Sequence, residues 1–541
     1  MRCALLFIAV VLVSSCSHLP PRAGEQKVPA VQRAAAAWHR LAAGEGQGSG
    51  MQATVAAYDR AVAEVVRLAV AQQAPDRWGA MVRLADGSQV RIDAGDARSH
   101  QRWSPRLFDS LHERRHPVDP PGTGQRMGLG AAFDGVHEHD EHEPNARFVY
   151  GKGQHVPVTA VLDFSDGAKA PPVLRLYDPR EVAEIPVGRH RQPLAADFAL
   201  PVQNVLKGQF FLAPMVEGLF RPERFQSNQG LYLLEPYRAD KVPVIFVHGL
   251  MSDPHIWETE VLQLMSDPQI ASRVQCWCFM YPTGLPVISS AARLRAAMAD
   301  ARKTFDPGGR DPGFERTVMI GHSMGGLLTR MQVENSGDTY WRTWFSVAPE
   351  KLQIEDHEVS QALIDGLIFK ANPQIKDVVF IATPHRGSSM ADTWYGRFGA
   401  WLIRTPKQVV QVATSIATLD VAMLAPERVA VQGFSLESFG LNSVSTLSPH
   451  QPFYAALNSC PMTAPCHSVI GNLGRPGPLA LSSDGVVPYT SSHLDQAVSE
   501  KVVPYWHGCV QQVECADEVT RIVREHLRLS AKPKDRAGKK N

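Results

Sequence analysis

The chain has almost no net charge: 55 Lys and Arg stand against 54 Asp and Glu, leaving +1 over 541 residues. No global field exists to draw in nucleic acid or hold an acidic partner, so charge excludes those classes without naming another. Long hydrophobic runs are scarce, and the one at the N-terminus, Ala4 to Val13, is too short to cross a bilayer as a helix. Cysteines number eight and form no C-x-x-C pair with a matching His spacing, which argues against a structural zinc site. The glycine pairs Gly122-Thr123-Gly124 and Gly151-Lys152-Gly153 lack the G-x-x-x-x-G-K-[ST] pattern that cradles phosphates, and both read as turns. No cofactor and no metal is implied.

What is present begins with the N-terminus. Met1-Arg2 followed by the short apolar run has the form of a secretory signal over residues 1–15. The run ends in Val13-Ser14-Ser15-Cys16, which resembles the lipobox of bacterial lipoproteins, with an ordinary secretory signal as the alternative. That resemblance implies acyl chains on Cys16, a protein anchored in the bacterial cell envelope and, since Ser17 stands where an aspartate marks inner-membrane retention, a place in the outer membrane. Export also implies an oxidising compartment. Beyond Cys3 and Cys16 six cysteines remain; Cys460/Cys466 and Cys509/Cys515 are each six positions apart and able to close small disulfide loops, whereas Cys276 and Cys278 alternate on an apparent strand as buried thiols.

Residues 16–75 read as a lipid-anchored tether, rich in Ala, Pro, Gly and Gln, with an amphipathic helix from Thr54 to Ala71. Residues 76–235 then read as a mostly β accessory domain: a hairpin over Met81–Leu84 and Val90–Ile92, and strands near Val156–Phe164 and Val173–Tyr177. Its partner is not legible. Within it, His137-Glu138-His139-Asp140-Glu141-His142-Glu143 alternates imidazoles and carboxylates, but with no apolar face to rigidify it the solvated loop is the better reading. Residues 240–530 change texture to short apolar runs alternating with helical patterns, the mark of βα units around a parallel sheet. Strands are expected at Val242–Val247, Val274–Met280, Thr317–Ile320, Val378–Ile381, His467–Ile470 and Lys501–Val503, with a closing helix over Ala516–Leu529.

Gly321-His322-Ser323-Met324-Gly325 is a G-x-S-x-G sequence between a strand and a helical pattern, the order a nucleophile elbow requires. Upstream, a strand runs into His248-Gly249-Leu250-Met251; downstream, Asp484 sits in Ser483-Asp484-Gly485 after a strand, and His507 follows the last one. The chain order Ser, Asp, His and these motifs resemble the bacterial α/β-hydrolase family of lipases and esterases over Val242–Leu529. The resemblance implies a doubly wound, mostly parallel sheet with a helical cap inserted at about 333–376 and 388–465. It implies Ser323 as nucleophile, His507 as base, Asp484 as acid, and the amides of Leu250 and Met324 as oxyanion donors. His248 then supports its loop, and His385 in Thr383-Pro384-His385-Arg386-Gly387 shapes the site, with a competing role as base. Trp341 and Trp344, with Trp394, Tyr395, Phe398 and Trp401, either line an acyl pocket or fill the cap's own core. The implied activity is hydrolysis of hydrophobic carboxylic esters through an acyl-enzyme. Acyl transfer or thioester cleavage on the same triad, and a non-catalytic lipoprotein that binds a partner, remain as alternatives.

Overall fold

The computed structural model describes residues 28–45, 48–71, 79–93, 111–112, 124–151, 153–167, 170–209, 229–389, 407–426, 443–474 and 476–529. Cys16, Trp394, Tyr395, Phe398 and Trp401 lie outside them. Among the described residues no helix is long and apolar enough to cross a membrane.

The N-terminal part is a helix pair laid on a six-stranded sheet. Ala30, Ala34, Ala37, Trp38 and Leu41 form one stripe of the helix Ala30–Ala43, and it packs with Val62, Val65 and Val66 of Ser49–Val70 over Val90, Ile92, Val161 and Leu162 of the sheet. The described part of the segment read as a tether with a helix, residues 28–45 and 48–71, is therefore a packed layer; its alanines are small enough to let the helices approach closely, a role that composition disguised as low complexity. The expected hairpin is present as Met81–Arg83 paired with Gln89–Asp93. The expected loop at His137 is corrected in part, because Ala131–Glu138 is a strand whose last pairs are His137 with Gln154 and Glu138 with Gly153. Backbone ladder bonds to a neighbouring strand need no apolar face on every residue.

The larger sheet has seven strands: β1 (Gly230–Leu233), β2 (Val242–Val247), β3 (Val274–Met280), β4 (Thr317–His322), β5 (Ile375–Ile381), β6 (Cys466–Gly471) and β7 (Ser499–Val503). Their order is β1-β3-β2-β4-β5-β6-β7, with β1 antiparallel and the rest parallel. β2, β3 and β4 are buried on both faces, which is why their sequences read as continuous apolar runs instead of alternating ones. The helices Val287–Phe305 and Met324–Arg330 cover one face, and Glu258–Ser266 and Val513–His526 the other. The chain leaves β2 toward β3 and returns to β4 on its other side, so the loops after β2 and β4 diverge from one crevice at the strands' carboxyl ends, the place where open α/β sheets hold their ligands.

The sequence put Gly230–Leu233 in the N-terminal part, whereas the structure pairs it with β3 at the edge of the larger sheet. The two parts are joined tightly there. Gln154 donates to the carbonyls of Leu233 (3.1 Å) and Glu235 (2.9 Å), and buried Arg180 bonds to Asp178 and Glu235, which also meets Lys241 Nζ at 3.2 Å. Ala199, Val202 and Val205 of the helix Ala199–Gln209 share a core with Val261 and Cys276.

Candidate active site

The strand register assembles the site. Val247 at the end of β2 stands opposite Gly321 in β4, so the loop His248–Met251 and the turn at Ser323 emerge side by side. Ser323 has φ +54° and ψ −124°, a backbone state unfavourable for a residue with a side chain; it persists because the Ser323 N–H is fixed to Ile381 O at 2.8 Å and the helix Met324–Arg330 begins at once. The glycines of the motif are packing requirements. A Cβ on Gly325 would stand 2.2 Å from Val247 O and 2.3 Å from His248 O, and one on Gly321 would stand 2.5 Å from Thr329 Oγ1. We expect Gly325→Ala to push β2 away from the elbow, lowering the thermal unfolding midpoint by several degrees and activity with it; an unchanged midpoint would contradict this packing.

Three side chains meet there. His507 Nε2 lies 2.9 Å from Ser323 Oγ, and His507 Nδ1 lies 2.7 Å from Asp484 Oδ2. Since a carboxylate only accepts, the proton of the neutral ring belongs on Nδ1, leaving Nε2 free to take the hydroxyl proton of Ser323. Asp484 is 1% exposed, and its Oδ1 accepts the amides of Val486 at 2.8 Å and Val487 at 2.6 Å. Gly485, at φ +91°, makes the turn that aims those amides back at the carboxylate. The His507 N–H donates to Asp484 O at 3.0 Å, so the two loops are held by backbone as well as by side chains.

The residues that the sequence offers as oxyanion donors, Leu250 and Met324, lie on the two segments next to Ser323, the loop after β2 and the helix Met324–Arg330. A Cβ on Gly249 would lie 3.0 Å from Ser323 Cβ, which measures how closely the loop carrying Leu250 passes Ser323. Met324 is the first residue of the elbow helix, so its N–H is one of the donors a helix start leaves without an intrahelical acceptor. Met251, which follows Leu250, has φ +53°, and its N–H donates to Thr283 Oγ1 at 3.4 Å, tying this loop to the segment after β3.

His248 supports its loop: it is buried, stacks on Tyr281 with centroids 4.5 Å apart, and its carbonyl accepts the Tyr281 hydroxyl at 2.7 Å. Burial pushes its pKa down to about 4, so the ring is neutral. His385 is fully buried with its Nδ1 3.3 Å from Arg330 Nη1, and burial followed by the Arg330 and Arg386 charges drives its pKa well below the usual imidazole range. A ring that accepts from a guanidinium and contacts neither Ser323 nor Asp484 is not placed as a base. Arg330 itself bonds to Glu334 at 2.6 Å and to Leu457 O at 2.6 Å, and Tyr340 completes the group through Glu334 at 2.8 Å. This buried network ties the elbow helix to the insertion after it; the sequence reading missed it, though a charged residue at the end of an otherwise apolar helix, Leu327-Leu328-Thr329-Arg330, was a signal.

Trp341 and Trp344 are in the core, not at the triad. The Trp341 indole N–H donates to Val347 O at 2.6 Å, and Trp344 contributes to a cavity of about 770 Å³. That cavity runs between the helices Val287–Phe305 and His357–Leu367, and none of its lining residues is Ser323, Asp484, His507, Leu250 or Met324. The expected disulfides are also corrected: Cys460, Cys466, Cys509 and Cys515 are free and buried, like Cys276 and Cys278. Cys460 closes a helix while Cys466 opens β6, where its thiol points to Gln496 O at 3.9 Å; burial and the nearby Glu260 and Cys509 push the Cys515 thiol pKa well up. Each side chain thus serves its own element.

No family profile and no curated protein matches the chain. Solved structures of bacterial lipases and esterases do. The mature lipase BlEst2 of Bacillus licheniformis is 15% identical, covering 54% of this chain and 97% of its own, with a TM-score of 0.31. Lipase 1 of Pelosinus fermentans is 13% identical over 54% of this chain and 100% of its own, with a TM-score of 0.34. The propionate-bound esterase Est2 of Thermogutta terrifontis is 16% identical over 56% and 91%, with a TM-score of 0.30. By these matches the chain is similar in fold to solved bacterial lipases and esterases. Likeness at that level decides nothing about chemistry; the side chains named above must do so.

Proposed function

We propose that the protein is a serine hydrolase that cleaves carboxylic esters through an acyl-enzyme. The observation that carries the reading is the continuous chain Asp484, His507, Ser323, with contacts of 2.7 Å and 2.9 Å, ending on a serine at positive φ. In this reading Ser323 Oγ attacks the ester carbonyl while His507 Nε2 takes its proton, and the oxyanion accepts from the Leu250 and Met324 N–H groups. Collapse breaks the bond to the alkoxide, which receives the proton from His507. A water then repeats the sequence on the acyl-enzyme, and Asp484 stabilises the imidazolium each time.

The substrate class we propose is hydrophobic acyl esters, and the place of work the bacterial envelope, with the lipobox-like sequence at Cys16 as the anchor. Supporting the first part, the segments that bear Asp484 and His507 expose apolar side chains: Leu481 is 84% exposed and Trp506 53%. Hydrolysis of p-nitrophenyl esters from acetate to palmitate, with phospholipid as a further substrate, tests this. We expect kcat/KM to rise with chain length beyond butyrate; activity confined to acetate and propionate would overturn the substrate class while leaving the ester chemistry intact.

A further inference from the structure

The residue before the nucleophile, His322, is buried, and its Nε2 lies 3.0 Å from the carbonyl oxygen of His507. A carbonyl only accepts, so the bond requires the proton on Nε2. The other ring nitrogen, Nδ1, is buried with no hydrogen-bond partner among the described residues and faces Gly249, whose Cβ would stand 3.1 Å from it. Burial, then the neighbouring His507 ring, pushes the His322 pKa down to about 3, so it stays neutral beside a ring that becomes an imidazolium during each turnover. The two ring centroids are 5.1 Å apart.

The peptide groups of His507 are therefore held on both sides: its N–H by Asp484 O at 3.0 Å, and its C=O by His322 Nε2. Tyr505 and Trp506, which precede His507, are exposed, and Leu473 N–H holds Tyr505 O at 3.1 Å, so between Tyr505 and the buried Cys509 the backbone of His507 is fixed by its two bonds to Asp484 O and His322 Nε2. We infer that His322 is a positioning residue, which fixes the backbone of His507 from the nucleophile's own strand so that one imidazole reaches both Ser323 Oγ and Asp484 Oδ2. Catalytic position then depends on a donor at residue 322, beyond the space it fills. This rests on the serine hydrolase reading above.

The test compares His322→Gln with His322→Met, side chains of similar length of which only Gln can donate to the carbonyl. For ester hydrolysis, His322→Met is expected to lower kcat about 100-fold, the scale of a 1 Å misplacement, with KM within about threefold of wild type. His322→Gln should recover most of that loss, and fluorophosphonate labelling of Ser323 should follow kcat in both variants. Equal loss in the two variants, or a loss carried by KM, would assign His322 to packing and overturn the inference. Should the Met variant fail to fold, ¹⁵N-histidine spectra of the wild-type protein read the tautomer directly: Nε2–H at His322 is required, and Nδ1–H overturns the bond. Ser323→Ala in the same assay separates the two levels. Activity surviving that change sinks the hydrolase reading itself, whereas its loss alongside an unaffected His322→Met sinks only the positioning role.

Discussion

Ser323→Ala lowers ester hydrolysis by several powers of ten, roughly 10⁴-fold or more, while the folded state is left as stable as before. The hydroxyl's bond is to His507 Nε2, and the backbone at φ +54° is strained whichever of the two small side chains it carries. Removing Oγ thus takes away the atom that forms the acyl-enzyme in the proposed mechanism and almost no packing. The purified variant, assayed on p-nitrophenyl butyrate beside wild type with thermal unfolding as control, checks both halves. Residual rates above the background of the Leu250 and Met324 amides acting on bound ester would mean that another nucleophile works in this crevice.

A second large effect separates the two histidines that the sequence left in competition. His507→Ala is expected to lose nearly as much as Ser323→Ala, and the double variant to be scarcely worse than either, because triad members act as a unit. His385→Ala is expected to keep the chemistry and lose stability instead. Its ring fills a buried site against Phe380, with centroids 4.7 Å apart, and accepts from Arg330, so truncation leaves a cavity and a guanidinium nitrogen short of one partner. Its midpoint should fall by several degrees while kcat per folded molecule stays within about tenfold of wild type. If His385→Ala proves the inactive variant at an unchanged midpoint, the base is misassigned.

The larger sheet was legible because its strands obey a simple rule. β2 and β3 are buried on both faces and appear as the unbroken runs Val242–Val247 and Val274–Met280, with the same boundaries in sequence and structure. The elbow was legible because Gly321 and Gly325 are forced by contacts of under 3 Å that no other residue tolerates, so motif and geometry are one constraint. Other features depend on distant partners. Gly230–Leu233 joins the larger sheet only by antiparallel pairing with β3, more than forty residues away, and no local pattern announces that choice. Trp341 and Trp344 have a composition suited equally to a pocket and a core: Trp341 is held in the core by the carbonyl of Val347, whereas Trp344 also lines the cavity between two helices. Cysteine spacing misled for the same reason: a six-residue interval permits a loop, but Cys466 is directed by β6 and Cys515 by its helix toward Glu260.

The central claim is that His507 and Asp484 make Ser323 a nucleophile, and active-site labelling with a fluorophosphonate, read by intact mass and peptide mapping, tests it most directly. The account predicts one adduct per chain, on the peptide containing Ser323, formed rapidly by wild type, abolished by Ser323→Ala and slowed by several powers of ten in His507→Ala. A natively folded wild-type protein that takes up no label, or takes it up on another residue at the same rate with His507 removed, would contradict it.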